Sequence, residues 1–175
     1  YHNMSTKTVW AYEWALKNKE FDFVARVNSS TYVNKKAIIE YVQGLPTTKV
    51  FNGMVVKSGT DQVNDWCWGP SFILSKDAVI EIVHSEHLLN RKVMDDVGLS
   101  QLLRQVGIFP SDGTCCSIDR NGLDWRAICY GTESFEFSDF ADIVKAKDHW
   151  AFRCKQDDNR DTDEFVMRQL FKYLS

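Results

Sequence analysis

The sequence is short of the features that mark several protein classes. Its 175 residues include only 3 Pro and 9 Gly, which excludes collagen-like and low-complexity chains. No apolar run approaches the ~20 residues that a membrane-spanning helix requires, so no membrane span is predicted. Basic residues are not in excess, because 21 Lys and Arg stand against 24 Asp and Glu. The chain therefore lacks the basic footprint of a general nucleic-acid binder.

Cysteine is present but follows no recognisable metal or disulfide pattern. The five cysteines are Cys67, Cys115, Cys116, Cys129 and Cys154. Their odd number and the absence of a CxxC spacing disfavour a zinc ribbon and a complete disulfide framework. We therefore expect buried free thiols in a reducing compartment. The chain begins with Tyr1, which favours a trimmed protein or a piece of a longer one.

Helical and extended patterns alternate along the chain. Hydrophobic residues make up 44% and charged residues 26% of it, as in ordinary globular proteins. Apolar residues recur at helical spacing after residues that can cap a helix, and apolar runs between them predict strands. The candidate helix starts are Ser5, Asn34, Ser75, Asp95 and Asp161, and the candidate strands are 21–27, 49–56, 72–74 and 149–154. The alternation predicts one α/β domain over residues 1–175.

Two polar segments are candidates for chemistry, and each also has a purely structural explanation. Asn28-Ser29-Ser30 follows a predicted strand, and ligands of α/β sheets bind beyond the carboxyl ends of strands. A capped turn explains the same residues. Asp95 and Asp96 begin a helix whose dipole stabilises carboxylates. One of them can cap the helix while the other acts as a base, or both can serve the helix alone.

Two further segments combine aromatic or basic residues. Trp66 and Trp68 precede a Gly69-Pro70 breaker, where indole faces can pack on a sugar ring and glycine permits close approach of a ligand. A buried aromatic corner is the alternative. In the strand that begins at His149, Arg153 and Lys155 lie on the histidine's face, and Arg160 follows. This row suits a diphosphate or a metal diphosphate, and a charged edge strand is the alternative.

In order, these segments resemble the Fringe and β-1,3-galactosyltransferase group of GT-A glycosyltransferases. Residues 1–8 are similar to the family's Tyr-x-Asn-Leu-Thr-x-Lys-Thr helix start, and residues 23–34 to the strand that carries its Asp-x-Asp motif. Gly69 and Leu74-Ser75-Lys76-Asp77 match part of its Gly-x-Gly-Tyr-x-Leu-Ser-Arg-Asp segment. Asp95-Asp96-Val97 resembles its Glu-Asp-Val motif.

The resemblance runs from Tyr1 to about Gly107, where Leu103, Arg104 and Gly107 fall on the family's Leu-Arg-x-x-Gly. Beyond it, the His-x-x-x-Arg-x-Lys pattern from His149 is similar to C-terminal elements of related bacterial or viral transferases. The resemblance implies a GT-A-like fold, with a mixed, mainly parallel sheet flanked by helices. The family's N-terminal nucleotide-binding βαβ portion is missing, so we expect a fragment of a longer catalytic domain.

The implied activity is inverting transfer of a sugar from a nucleotide-diphosphate donor to an acceptor hydroxyl, such as that of a glycan. Transferred onto this chain, the family's roles make Asp96 the first choice of base and Asp95 the second. The implied contacts to the donor are Asn28, Ser30, Arg153, Lys155 and Arg160, and those to the acceptor are Trp66, Trp68 and Gly69. The resemblance to bacterial or viral enzymes favours a cytoplasmic protein over one of the Golgi lumen.

One departure from the family concerns its metal. The family's acidic triplet holds Mn²⁺ or Mg²⁺ against the donor diphosphate, but here it reads Asn28-Ser29-Ser30. Hard cations prefer charged oxygen ligands, so we expect Ser30 and His149 to bind such a cation only weakly, with Arg153 and Lys155 offsetting the diphosphate charge. The same departure supports an alternative: a non-catalytic carbohydrate- or protein-binding domain that kept the fold.

Overall fold

The computed structural model describes residues 2–58, 64–156 and 160–175, without the side chains of His2 and Asn3. Helices α1–α5 span His2–Asn18, Lys35–Gln43, Lys76–His84, Asp95–Gln105 and Arg160–Leu174. Strands β1–β9 span Phe23–Val27, Thr31–Val33, Phe51–Val56, Trp66–Ser75, Ser111–Asp112, Cys115–Asn121, Asp124–Tyr130, Phe135–Phe137 and Ala151–Arg153. Short 3₁₀ helices cover Glu86–Leu88 and Phe140–Ala146. Within the described residues, no helix has the length and apolarity needed to cross a membrane.

The chain divides into two compact units. Unit 1 comprises Tyr1–Arg26 and Pro46–Asp112, and unit 2 comprises Val27–Leu45 and Gly113–Ser175. Each unit has its own hydrophobic core. The single domain over residues 1–175 that the sequence suggested stays a prediction.

Unit 1 is built on a four-stranded sheet in the order β1-β4-β3-β5. β3 pairs antiparallel with β4 and parallel with β5. Gly53 lets β3 approach β4 closely, because a Cβ there would lie 2.9 Å from the Cβ of Phe72. Helices α3 and α4 bury their apolar faces in the same core, whose fully buried members include Phe51, Phe72, Leu74, Val79, Ile82, Leu99 and Leu103. This packing fixes the start of α4 beside the sheet, as the α4–β4 contacts require.

Unit 2 is built on a five-stranded sheet in the order β2-β9-β6-β7-β8. β9 pairs parallel with β6, while the other pairs are antiparallel. α5 packs its apolar stripe, including Val166 and Leu170, into the core of this unit. The order brings β9 directly beside β2, and their partner residues include Arg153 opposite Thr31.

The α/β class is confirmed, but the mainly parallel arrangement is not. Among the strand pairs of known register, only β3 with β5 and β6 with β9 are parallel. β6 and β7 form an antiparallel hairpin, and β3 and β4, which are consecutive strands, also pair antiparallel. Antiparallel neighbours need no crossover helix, whereas parallel neighbours do.

Local signals located several elements well and misplaced others. Asn34 is the N-cap of α2 and accepts the Ala37 N–H, as expected, and α4 begins at Asp95. The start expected at Ser5 is wrong, because α1 already begins at His2. The break expected at Gly69-Pro70 is also wrong, because β4 runs through it. The β3–β4 register shifts at this point, and such an irregularity accommodates a residue that has no N–H to donate.

The expectation of free thiols holds for three of the five cysteines. Cys67, Cys115 and Cys154 are buried and form no disulfide. Cys116 and Cys129 form a disulfide, so the expectation is wrong for them. The two residues occupy directly opposed positions of β6 and β7, with Cα atoms 4.1 Å apart. Strand pairing brings them together across 13 residues of sequence.

Candidate functional site

Unit 1 joins both carboxylates of the Asp95-Asp96 motif to one arginine and one glycine. The Arg26 guanidinium donates from Nη2 to Asp95 Oδ2 at 2.6 Å and from Nη1 to the Gly69 carbonyl. The Gly69 N–H donates to Asp96 Oδ2 at 2.8 Å. We call Arg26, Gly69, Asp95 and Asp96 the acid–arginine cluster. It brings together three of the residues that the sequence singled out.

The two aspartates of the cluster have different partners. Asp96 is 6% exposed and also accepts the Val97 N–H at Oδ1, so each of its oxygens already holds one backbone N–H. Asp95 forms a largely buried ion pair with Arg26. The expectation that one of the two aspartates caps α4 is wrong, because Met94 occupies the N-cap position. The Asp95 carboxylate forms its ion pair with the Arg26 guanidinium instead.

Gly69 is closely enclosed by the side chains of the cluster. A Cβ at this position would lie 2.9 Å from both Arg26 Nη1 and Asp96 Oδ2, closer than non-bonded carbon is found. The close approach expected of Gly69 is therefore made by side chains of its own unit. Trp66 and Trp68 flank it on β4 and are half-buried. Trp66 also lines a cavity of about 370 Å³ together with Arg104.

Sequence analysis missed two members of this region. Arg26 is a charged residue within an otherwise mostly apolar strand, and a charge in such a strand indicates a buried partner of opposite charge. Tyr12 of α1 is buried, and its hydroxyl has no hydrogen-bond partner within the described part of the chain. Burial raises the pKa of Tyr12 well above its usual value, with Arg26 opposing and Asp95 adding to the rise. The phenol is therefore a neutral donor close to these two charges.

Unit 2 gathers most of the residues expected to contact a donor. Arg153 Nη1 donates to Asn28 Oδ1 at 2.9 Å, and Arg160 Nη1 donates to Ser30 Oγ at 2.5 Å. Arg160 also donates to Asp163 Oδ2 at 3.0 Å. We call Asn28, Ser30, Arg153, Arg160 and Asp163 the arginine–turn cluster. Strand β9 and the start of α5 supply the cations, and the turn before β2 supplies the neutral oxygens.

The arginine–turn cluster carries two guanidinium groups and one carboxylate. Asp163 is 1% exposed and accepts the Gln156 N–H at 2.7 Å as well as the Arg160 bond. Burial lowers the pKa of Arg153, Asp163 opposes this shift, and the neighbouring Arg160 charge adds to it. Arg153 is half-buried and Arg160 is exposed, and an anion bound beside Arg153 would favour its charged form. Lys155 is exposed on the chain between the two arginines.

His149 belongs to a different environment of unit 2. Its Nε2 lies 3.0 Å from Thr132 Oγ1 and its Nδ1 lies 3.3 Å from the Ala146 carbonyl oxygen. Its ring is 4% exposed and lies beside the sulfurs of Cys116 and Cys129. Ser30, in contrast, has Arg160 as its side-chain partner. The expected pair of metal ligands, Ser30 and His149, therefore have separate partners.

The arginine–turn cluster does not fit Mn²⁺ or Mg²⁺. Asn28 Oδ1 and Ser30 Oγ accept hydrogen bonds from guanidinium groups, so a cation on these oxygens would meet positive charge. Both oxygens of Asp163, the cluster's carboxylate, already hold donors. A hard divalent cation needs several charged oxygen ligands, and this donor set does not supply them.

Comparison of the chain with protein-family models and with curated proteins finds no match in either case. The chemistry of the two clusters is therefore the ground on which a function is proposed.

Proposed function

We propose that the chain is the catalytic portion of an inverting GT-A-type glycosyltransferase that uses a nucleotide-diphosphate sugar without a bound metal. The observation that carries the proposal is the arginine–turn cluster. It places the Arg153 and Arg160 guanidinium groups on neutral oxygens of Asn28 and Ser30. Phosphate oxygens can take the place of these neutral oxygens as acceptors, and the Arg160–Asp163 ion pair offsets part of the positive charge of the cluster.

Arginine suits the leaving diphosphate for geometric and electrostatic reasons. Its planar guanidinium matches two phosphate oxygens at once and stays charged at physiological pH. As the donor binds, its phosphate oxygens replace the Asn28 and Ser30 oxygens as acceptors for Arg153 and Arg160. Lys155 is exposed and adds charge at the rim. These groups stabilise the negative charge that develops on the diphosphate as the sugar departs.

The proposed base is Asp96, and Asp95 is the second choice. Each Asp96 oxygen accepts one backbone N–H and retains a lone pair that can take a proton from an acceptor hydroxyl. The deprotonated hydroxyl then attacks the anomeric carbon opposite the diphosphate. Asp95 is less suited, because the Arg26 ion pair holds its carboxylate. Trp66, Trp68 and Gly69 are proposed to shape the acceptor side.

A panel of nucleotide sugars and glycan acceptors tests this proposal, with product formation read by mass spectrometry in the presence of a chelator. We expect transfer to persist in chelator and to fall by ~10²-fold or more in Asp96→Asn, the usual scale of general-base catalysis. Asp95→Asn is the matched variant and should retain more activity. Metal-dependent transfer would contradict the proposal, and so would wild-type activity in Asp96→Asn.

A second candidate is a non-catalytic domain that binds carbohydrate or protein. It is favoured by the burial of Asp96, which is 6% exposed with both oxygens bonded within the unit. This candidate predicts glycan binding that is unaffected by nucleoside diphosphates, together with no transfer from any donor. Binding of a nucleoside diphosphate that Arg153→Met weakens would argue against it.

A further inference from the structure

Two sulfur ligands and one nitrogen ligand converge in unit 2, outside both clusters described above. The Sγ atoms of Cys116 and Cys129 and a ring nitrogen of His149 all lie within 4.8 Å of one another, and all three residues are buried. The two cysteines face each other on β6 and β7 and are joined as a disulfide. Thiolate and imidazole are the ligand types on which structural Zn²⁺ sites are built.

His149 is oriented as metal-binding histidines are. Its Nδ1–H is assigned as the donor to the Ala146 carbonyl oxygen at 3.3 Å, which leaves the Nε2 lone pair as the ligand. In the disulfide form, Nε2 accepts a hydrogen bond from the Thr132 hydroxyl, which lies 3.0 Å away. The ring is thus held in the tautomer that metal binding needs.

A cavity in unit 2 reaches two of these three residues. It has a volume of about 360 Å³, and Cys129 and His149 both line it. Thr114 also lines it, and the Thr114 hydroxyl is buried with no hydrogen-bond partner among the residues that the structure describes. Glu133 lies at the same cavity and is exposed. A water molecule in this cavity can complete a tetrahedron as the fourth ligand.

We propose that Cys116, Cys129 and His149 form a Zn²⁺ site that opens only when the disulfide is reduced. A dithiol transfers two electrons and two protons to the disulfide, the S–S bond breaks, and the dithiol becomes a cyclic disulfide. Zn²⁺ then displaces both thiol protons and binds the two thiolates and His149 Nε2. Two thiolates balance the charge of Zn²⁺, so the buried site is neutral overall. In the oxidised chain the S–S bond replaces the metal.

The test uses Co²⁺ as the probe, since thiolate ligands give it a charge-transfer absorption band and tetrahedral geometry gives it intense visible bands. The full chain is reduced with a dithiol, freed of it under nitrogen, and titrated with Co²⁺ beside the disulfide form. We expect one Co²⁺ per reduced chain with a thiolate band, and no such band for the disulfide form. Added Zn²⁺ should bleach the band and raise the melting temperature of the reduced chain alone.

Variants separate this site from adventitious thiol binding. Loss of an outer-shell partner weakens metal binding about 10–100-fold, and His149→Ala removes a ligand itself, so we expect Co²⁺ affinity to fall by at least that factor. Cys129→Ser should abolish the thiolate band. Cys115→Ser is the matched control, because adjacent residues of β6 point to opposite faces, and it should bind like the wild type. The proposal is overturned if the reduced chain shows no thiolate band, or if His149→Ala binds Co²⁺ as tightly as the wild type.

Discussion

The buried ion pair between Arg26 and Asp95 should contribute more to the free energy of unfolding than an exposed ion pair of similar length. Its atoms are 2.6 Å apart, and the two side chains are only 16% and 12% exposed. Removing one partner of a buried pair leaves the other charge without compensation, at a cost of ~3–5 kcal/mol. Partial exposure reduces this, so we expect Asp95→Asn and Arg26→Met each to cost about 2–4 kcal/mol. Arg26→Met stands at the upper end, because the Gly69 carbonyl also loses its donor.

A double-mutant cycle separates the pair from its surroundings. We expect a coupling energy of about 2 kcal/mol between Arg26→Met and Asp95→Asn, measured by urea unfolding with fluorescence and circular dichroism. Arg91 and Glu86 provide the control, since their atoms are 2.5 Å apart but their side chains are 38% and 39% exposed. Exposed pairs contribute ~0–1 kcal/mol. A coupling for Arg26–Asp95 no larger than that of the control would refute the argument from burial.

Three further predictions follow from individual contacts. Gly69→Ala should destabilise the chain by about 1–3 kcal/mol in urea unfolding, because its Cβ would lie 2.9 Å from Asp96 Oδ2; wild-type stability would contradict the crowding. Reducing Cys116–Cys129, separated by 13 residues, should cost about 3 kcal/mol in a metal-free thermal melt, and an unchanged melt would show that the disulfide constrains nothing. Burial lowers the pKa of His149 below its ordinary 6.5, so the unfolded chain binds more protons and stability should fall as pH drops below about 6.5; His149→Gln should flatten this slope, and an equal slope in both proteins would contradict it.

Local sequence signals were enough to locate α2 and α4. Asn34 caps α2 because an amide side chain can accept the Ala37 N–H from three residues ahead, and that information is contained within one turn. The start of α4 at Asp95 could likewise be predicted, because two acidic residues precede apolar residues at helical spacing. Sequence analysis also grouped Arg153 and Arg160 as donor contacts, and they lie together in the arginine–turn cluster.

Contacts between distant residues were not readable in the same way. Arg26 forms an ion pair with Asp95, which is 69 residues away in sequence. No residue next to either one in sequence indicates this partner. The strand through Gly69 and Pro70 depends on a register shift in β3, which is a property of the pair of strands. The disulfide had a signal that was overlooked: Gly122, at φ 63°, lies in the turn between β6 and β7, and pairing Asn121 with Asp124 sets Cys116 opposite Cys129.

Asp96 also shows how the structure changes the design of an experiment. Asp96→Asn keeps the shape of the side chain and removes its charge. Both oxygens accept a backbone N–H, so an amide must turn its NH₂ group toward one of these donors. Leaving one buried donor unpaired costs ~1–3 kcal/mol. Activity of this variant should therefore be compared at a temperature where its folded fraction has been measured.

Calorimetric titration of a nucleoside diphosphate into the full chain, in buffer containing chelator, tests the central claim most directly. We expect binding without metal, and a loss of about 10–100-fold in affinity for Arg153→Met and for Arg160→Met, since a hydrogen bond to a charged group contributes ~1.5–3 kcal/mol. Arg168→Met is the control, because Arg168 lies on the same helix as Arg160 and its side chain is 76% exposed beside Glu164. Binding that requires Mn²⁺, or that all three variants retain equally, would contradict the account.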